Sequence, residues 1–202
     1  MTCLPDMILL VLGGGLSRRF GAEDKLETRI GSLPLAHHIL SAVDHFPWHQ
    51  KRAVCRTVGN WHAAYVAQGF ELLVNPLPER GLGSSLALGT NGLSASARVF
   101  VCLADMPFVS HTHILALRQA SDSVPDQIIA SCAPNYRGPP AIFPVSSLSA
   151  LDPNSDHGAR PLLRLARLIP APAEELIDID YAGDVTAANA QFLQQARPGE
   201  RR

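Results

Sequence analysis

The chain has no apolar run approaching the roughly 20 residues that a membrane-spanning helix requires. Its long apolar runs, "MILLVL" at 7–12 and "VFVCLA" at 99–104, are short, and the first is preceded by Asp6 rather than by a basic leader. A secretory signal is therefore not expected. Cysteine is sparse: Cys3, Cys55, Cys102 and Cys132, with no C-x-x-C pair. That spacing excludes a zinc knuckle or a thioredoxin-type motif. Cys102 and Cys132 lie inside apolar runs and read as small core residues of a reduced, cytoplasmic protein. Charge of one sign is also lacking. Lys and Arg number 17 against 18 Asp and Glu, a net charge of -1. A nucleic-acid coat needs a broad basic face, so any basic site here must be local. Familiar catalytic and phosphate patterns are missing too. No Gly-Lys pair exists for a Walker A loop, and Arg18 stands where the last glycine of G-x-G-x-x-G would fall. Nor does a G-x-S-x-G nucleophile elbow occur.

What remains is an ordinary globular mix, 47% hydrophobic and 17% charged over 202 residues. A chain of that size hides about 70% of its surface on folding. A single domain is expected over 1–196, with "RPGERR" at 197–202 a frayed tail.

Short apolar runs alternate with amphipathic ones. Residues 7–12, 52–58, 70–75, 98–105, 127–133, 140–144 and 175–180 read as strands. Helices are expected over 33–46, 60–69 with Asn60 as cap, 83–93 with serines at the cap, 110–121 capped by Ser110, 158–168 and 182–196. The alternation predicts an α/β fold, a mainly parallel sheet with helices on both faces. Ligands of such sheets bind beyond the carboxyl ends of the strands. "LVLGGG", "LVNP" and "CLADMP" are such ends, so their loops should share one crevice.

The first loop, "GGGLSRRFGAEDK", joins three glycines to Arg18, Arg19 and Lys25. Glycine lets backbone N–H groups approach an anion closely, and the cations add charge. A phosphate cradle suits this better than a plain flexible turn. Asp105, at the end of a buried run, is placed either to hold Mg²⁺ or to cap its own loop. In "LIDIDYAGD", strand alternation would set Asp178 and Asp180 on one face, with Asp184 at a helix start. "NPLPERGLGSSL" offers Asn75 and a serine-rich helix start for a base or a phosphate. The histidines read as structural. His37, His38 and His45 lie on an amphipathic helix, and His111 with His113 lacks a third metal ligand.

Six segments in order, "LGGGLSRRFGAEDKL", "NPLPERGLGSSLALG", "LADMP", "RGPPAIFP", "SDHGAR" and "IDIDYAGD", resemble the molybdenum cofactor nucleotidyltransferases, the MobA-like NTP transferases. The resemblance runs from residue 8 to about 192, and is strongest to the cytidylyltransferase branch through "GLGSSL" and "DHGAR". "LGGG" and "EDK" lean instead toward guanylyltransferases. It implies a Rossmann-like three-layer sandwich of the nucleotide-diphospho-sugar transferase type. It implies a reaction with Mg²⁺ (or Mn²⁺) as cofactor, moving a nucleoside monophosphate from CTP or GTP to the terminal phosphate of a molybdopterin-type cofactor, with pyrophosphate released.

By position, Leu12, Gly13, Gly14, Gly15, Ser17, Arg19, Lys25, Asn75, Gly81, Ser84 and Ser85 would bind the nucleotide. Arg19, Lys25 and Asp105 would be catalytic, Asp105 and Asp180 would hold the metal, and Asp156, Gly158 and Arg160 would lie on the acceptor side. Pro139 replaces the family's histidine and Met106 its glutamine, both on the acceptor side. Rival readings are a guanylyltransferase, a sugar-phosphate nucleotidyltransferase, and a non-catalytic nucleotide or molybdopterin carrier or sensor. A molybdoenzyme maturation protein is a candidate recipient of the product.

Overall fold

The computed structural model describes residues 6–15, 20, 24–149, 151–155 and 157–195. The strands are β1 Met7–Gly13, β2 Arg29–Ile30, β3 Leu33–Pro34, β4 Gln50–Cys55, β5 Glu71–Val74, β6 Arg98–Leu103, β7 Ile129–Ala133, β8 Tyr136–Pro144 and β9 Arg167–Pro170. The α-helices are α1 His38–Val43, α2 His62–Ala67, α3 Leu82–Thr90, α4 His111–Ser123, α5 Val145–Leu148 and α6 Ala182–Gln195. Seven strands form one sheet in the order β5-β4-β1-β6-β8-β7-β9, and β2 with β3 makes a small hairpin. All neighbours in the large sheet pair in parallel except at β8, which runs antiparallel to both β6 and β7.

The continuous apolar run of β1 is explained by burial on both faces. Met7, Leu9 and Val11 point into one core with α1, α4 and the Trp61–Tyr65 pair. Ile8, Leu10 and Leu12 point into the other with Leu86, Val145 and Leu163. Helix α3 lies so close to β1 that a Cβ on Gly89 would sit 2.5 Å from the Leu10 side chain. The three-layer α/β sandwich is thus as expected.

Several local expectations are corrected. Leu33–Pro34 is not helical but pairs with Arg29–Ile30 around Gly31, whose φ is 60°. Asn60 does not cap α2. Trp61 holds the cap position without a side-chain bond, and its indole donates to Asp24 Oδ2 at 3.2 Å. The serines do not cap α3, where Gly81 takes that place at φ 76°. Residues 158–168 form a 3-10 turn, Arg160–Leu165, and then β9, because Arg167–Pro170 gains a parallel ladder on β7. Residues 175–180 are not a strand either. Ile179 is fully buried, and its N–H donates to the Asp105 carbonyl at 3.0 Å. Ser110 does cap α4, accepting from His113 N at 3.1 Å.

Three of the histidines are accounted for by packing. His38 bonds the Ile30 carbonyl at 3.0 Å, His113 bonds Ser131 Oγ at 2.8 Å, and His111 stacks on Phe46. Burial lowers the pKa of His38, His62 and His113 below 6.5. The unfolded chain then binds more protons than the folded one as pH falls, so their contribution is present above pH 6.5 and lost below it. Urea unfolding at pH 7.5 and 5.5 should show weaker stability at the lower pH. The pH dependence should be shallower in a His113→Gln variant, and an equal slope in both proteins would contradict the assignment.

Candidate active site

The carboxyl ends of β1, β5 and β6 converge on one edge, as expected of a parallel sheet. Because β8 is reversed, its first residues, Tyr136–Pro139, reach the same edge. A cleft of about 350 Å³ opens there, lined by Leu12, Gly14, Gly15, Gly81, Ser85 and Asp105, among others. Among the described residues nothing lies within 4 Å of a Cβ placed on Gly15, whereas a Cβ on Gly14 would meet Ser85 Oγ at 2.9 Å. Gly13 packs at the strand end against Leu26 and Trp61. Ser17, Arg18 and Arg19 lie outside the described residues, as does Asp156.

Lys25 is the centre of the site. Asp24 caps the short turn that carries it, with Oδ1 accepting from Leu26 N at 3.1 Å. The lysine is buried to 8% exposure. Its ammonium donates to Asp105 Oδ2 at 2.6 Å, to the Ile179 carbonyl at 3.0 Å and to Asp180 Oδ1 at 3.3 Å. Burial alone would lower its pKa, but the Asp105 and Asp180 carboxylates outweigh that and the net direction is upward. The lysine therefore stays charged at neutral pH.

Asp184 holds the opposite wall by accepting from Asp180 N at 2.9 Å and Tyr181 N at 2.7 Å, as its place at the start of α6 suggested. Asp178 is exposed at the rim. Crowding by the protein around its carboxyl, followed by the charges of Asp105 and Asp180, raises its pKa. Instead of sharing a strand face, Asp178 and Asp180 flank the anchored Ile179. Asp180 turns to Lys25, while Asp178 reaches a second cavity.

The carboxylate arrangement fits a divalent cation. Asp105 and Asp180 straddle a position that a cationic group already favours. Asp105 Oδ1 is buried and has no hydrogen-bond partner among the described residues. Among those residues no group of three or more His, Cys, Asp or Glu is arranged to enclose a metal. Two carboxylates could hold an ion that takes its remaining ligands from phosphates and water, as Mg²⁺ does.

Asn75 is buried and does not face the cleft directly. It donates to Ser84 Oγ at 2.9 Å and Ser85 Oγ at 3.1 Å, and its Oδ1 accepts from Leu77 N at 2.9 Å. It shapes the loop that leads into α3. Asn75→Ala should cost about 1–3 kcal/mol, the penalty of leaving buried partners unsatisfied. Denaturant unfolding measures this, and an unchanged midpoint would contradict the role.

The segment expected on the acceptor side packs on that same helix. Gly83 N donates to the Ser155 carbonyl at 3.1 Å, and Gly158, at φ 51°, lies against Leu82. Arg160 lines the second cavity, with Tyr136, Gly138 and Asp178. Sequence reasoning did not single out Tyr136, Leu82 or Leu103. The last two lie inside quoted motifs, but Tyr136 depends on the reversal of β8, which no local pattern signals.

Residues 9–173 match the family model of the MobA-like NTP transferase domain. The chain belongs to the MobA-like NTP transferase family. A probable molybdenum cofactor guanylyltransferase of Pyrococcus furiosus is 34% identical over 102 residues, 49% of this chain and 47% of that protein. The match thus spans about half the length of the curated relative. Among solved structures, a nucleotidyl transferase from Methanothermobacter superposes with a TM-score of 0.76 at 17% identity, covering 94% of this chain and 99% of the other. Rv0371c from Mycobacterium tuberculosis gives 0.71 at 17% identity, with 94% and 100% covered. A 4-diphosphocytidyl-2C-methyl-D-erythritol synthase gives 0.64 at 15% identity, with 95% and 100% covered. At these identities the superpositions establish a shared fold. No helix among the described residues is long and apolar enough to cross a membrane.

Proposed function

We propose that this MobA-like nucleotidyltransferase moves a nucleoside monophosphate from a nucleoside triphosphate to the phosphate of a molybdenum-pterin cofactor, releasing pyrophosphate. The observation that carries the reading is Lys25 held between Asp105 and Asp180, with Asp105 itself lining a glycine-lined cleft. An attacking phosphate is already anionic and needs no general base. The task is to bring two anions together and to stabilise the pyrophosphate that leaves.

Asp105 and Asp180 would hold Mg²⁺ or Mn²⁺, which when bound supplies charge neutralisation to the phosphates. Gly15 leaves room for the triphosphate beside the backbone, and Gly14 lines the same cleft. Lys25, and Arg19 by its position in the signature, would pair with the phosphate oxygens. Ser85 and Gly81 line the cleft at the side expected for base or ribose.

CTP is the favoured donor because "GLGSSL", part of which lines the cleft, resembles the cytidylyltransferase branch. GTP is the second reading, supported by the Pyrococcus relative. Thermal unfolding with CTP, GTP, UTP and ATP, each with and without Mg²⁺, tests the donor. A triphosphate at 100 times its dissociation constant adds about 2.7 kcal/mol. The preferred nucleotide should raise the melting temperature most, and more with Mg²⁺. No shift with any of the four would overturn the reading.

A further inference from the structure

Another cavity, of about 330 Å³, opens at the opposite edge of the sheet, beside the amino ends of β1 and β6. Arg98 starts β6, so this cavity lies one strand length, roughly 20 Å, from the cleft at the carboxyl edge. Its polar lining is Asp6, His49, Arg98, Arg118 and Asp122, and Trp48 forms an apolar side. The two acids are already engaged. Asp122 accepts from Arg98 Nη2 at 2.9 Å, and Asp6 lies 3.4 Å from His49 Nδ1. Arg98 is 3% exposed and donates to Ser121 Oγ at 2.7 Å, yet its Nε has no partner among the described residues.

Arg118 is less satisfied still. Its guanidinium lies 4.7 Å from the centre of the Trp48 ring and 5.2 Å from that of Phe46. Such contacts engage the charge but not the five N–H donors. Among the described residues Arg118 makes no hydrogen bond or ion pair, and its Nη1 is buried. Burial lowers its pKa, Asp122 opposes that, and the neighbouring Arg98 adds to the lowering. Of the five buried side-chain nitrogens and oxygens without a partner among the described residues, two therefore belong to arginines of one cavity. An unmet buried donor is costly, and an acceptor entering the cavity would offset that cost.

We propose that this cavity is a binding site for an organic carboxylate, held by Arg118. A planar guanidinium and a planar carboxylate match through two parallel N–H···O bonds. The Trp48 and Phe46 rings fix the guanidinium before the acid arrives, which lowers the ordering cost of binding. Asp6 and Asp122 in the same lining limit the charge the site accepts. One unpaired cation suits one negative charge, and a phosphate dianion is repelled. Trp48 offers apolar surface to the body of the acid. The site is separate from the nucleotide cleft, and it does not depend on the nucleotidyltransferase reading.

Ligand-observed NMR titration of the full chain tests this with three probes of similar shape: benzoate, the neutral benzamide and the dianion phenyl phosphate. Wild type should bind benzoate at least about tenfold more tightly than either, a difference of about 1.4 kcal/mol. Arg118→Met keeps an apolar stem against the two rings and should lose that preference, with near-UV circular dichroism unchanged. Arg118→Lys keeps the charge but not the fork, should bind benzoate more weakly than wild type, and decides the point if the Met protein does not fold. Saturating triphosphate with Mg²⁺ should leave the benzoate affinity unaltered. N-acetylphenylalanine, titrated beside benzoate, separates a peptide carboxyl terminus from a free acid, and the tighter binder names the source. Equal binding of the first three probes by wild type, or binding of none, would overturn the assignment. So would a preference for phenyl phosphate, or a benzoate affinity unchanged in either Arg118 variant. Displacement of benzoate by the triphosphate would also overturn it, because the probe would then occupy the nucleotide cleft.

Discussion

Lys25→Ala is expected to lower kcat by at least about 100-fold, the scale seen when one charge-stabilising donor is removed from a reacting centre. The loss should fall on kcat more than on KM, because the cation matters most as charge builds on the departing pyrophosphate. The structure adds a stability cost. Lys25 bonds to Asp105, Asp180 and the carbonyl of Ile179, and so ties three segments far apart in sequence. Removing it leaves two carboxylates facing each other. A fully buried pair broken this way loses about 3–5 kcal/mol. Asp180 is 43% exposed and solvent screens it, so a loss of about 1–3 kcal/mol is expected instead. Lys25→Met keeps most of the apolar stem and should recover packing but not turnover. Steady-state kinetics beside urea unfolding separate the two effects. Near-wild-type kcat in the Lys25→Ala protein would remove the lysine from the mechanism.

Asp105→Asn should lower turnover by about 100- to 1,000-fold with less structural disturbance. The amide keeps the shape of the carboxylate and an oxygen that can accept from Lys25. What disappears is the negative charge, and with it the anchor proposed for the divalent ion. Affinity for the metal-free triphosphate should stay level or tighten, because one anion facing the phosphates is gone. Affinity for Mn²⁺ in the presence of nucleotide should fall. If Asp105→Asn bound Mn²⁺ as wild type does, the buried Oδ1 would have to serve the fold alone.

Much of this was legible from the chain. The β1 strand was recognisable because burial on both faces demands an unbroken apolar run, and the glycines after it marked a loop that borders the cleft. Asp105 could be placed at a sheet edge because a single acid ended a run such as "VFVCLA". The rest depended on tertiary pairing. "LIDID" alternates like a strand, yet its packing is decided by Ile179 docking on the Asp105 carbonyl. "RLARLIP" carries a helix-like pattern, but a free parallel edge on β7 turned its end into β9. Asn75 read as a nucleotide contact, whereas its amide is consumed by Ser84, Ser85 and the Leu77 backbone. Hydrogen-bond partners of this kind leave no periodic trace in a sequence.

The direct test of the central claim is pyrophosphate release by the full chain supplied with CTP or GTP, Mg²⁺ and a phosphorylated molybdenum-pterin acceptor. The account predicts release that requires all three components, with CTP faster than GTP, and that falls at least about 100-fold in Lys25→Ala. Triphosphate binding without acceptor-dependent pyrophosphate release would contradict it and leave a nucleotide-binding protein in place of an enzyme.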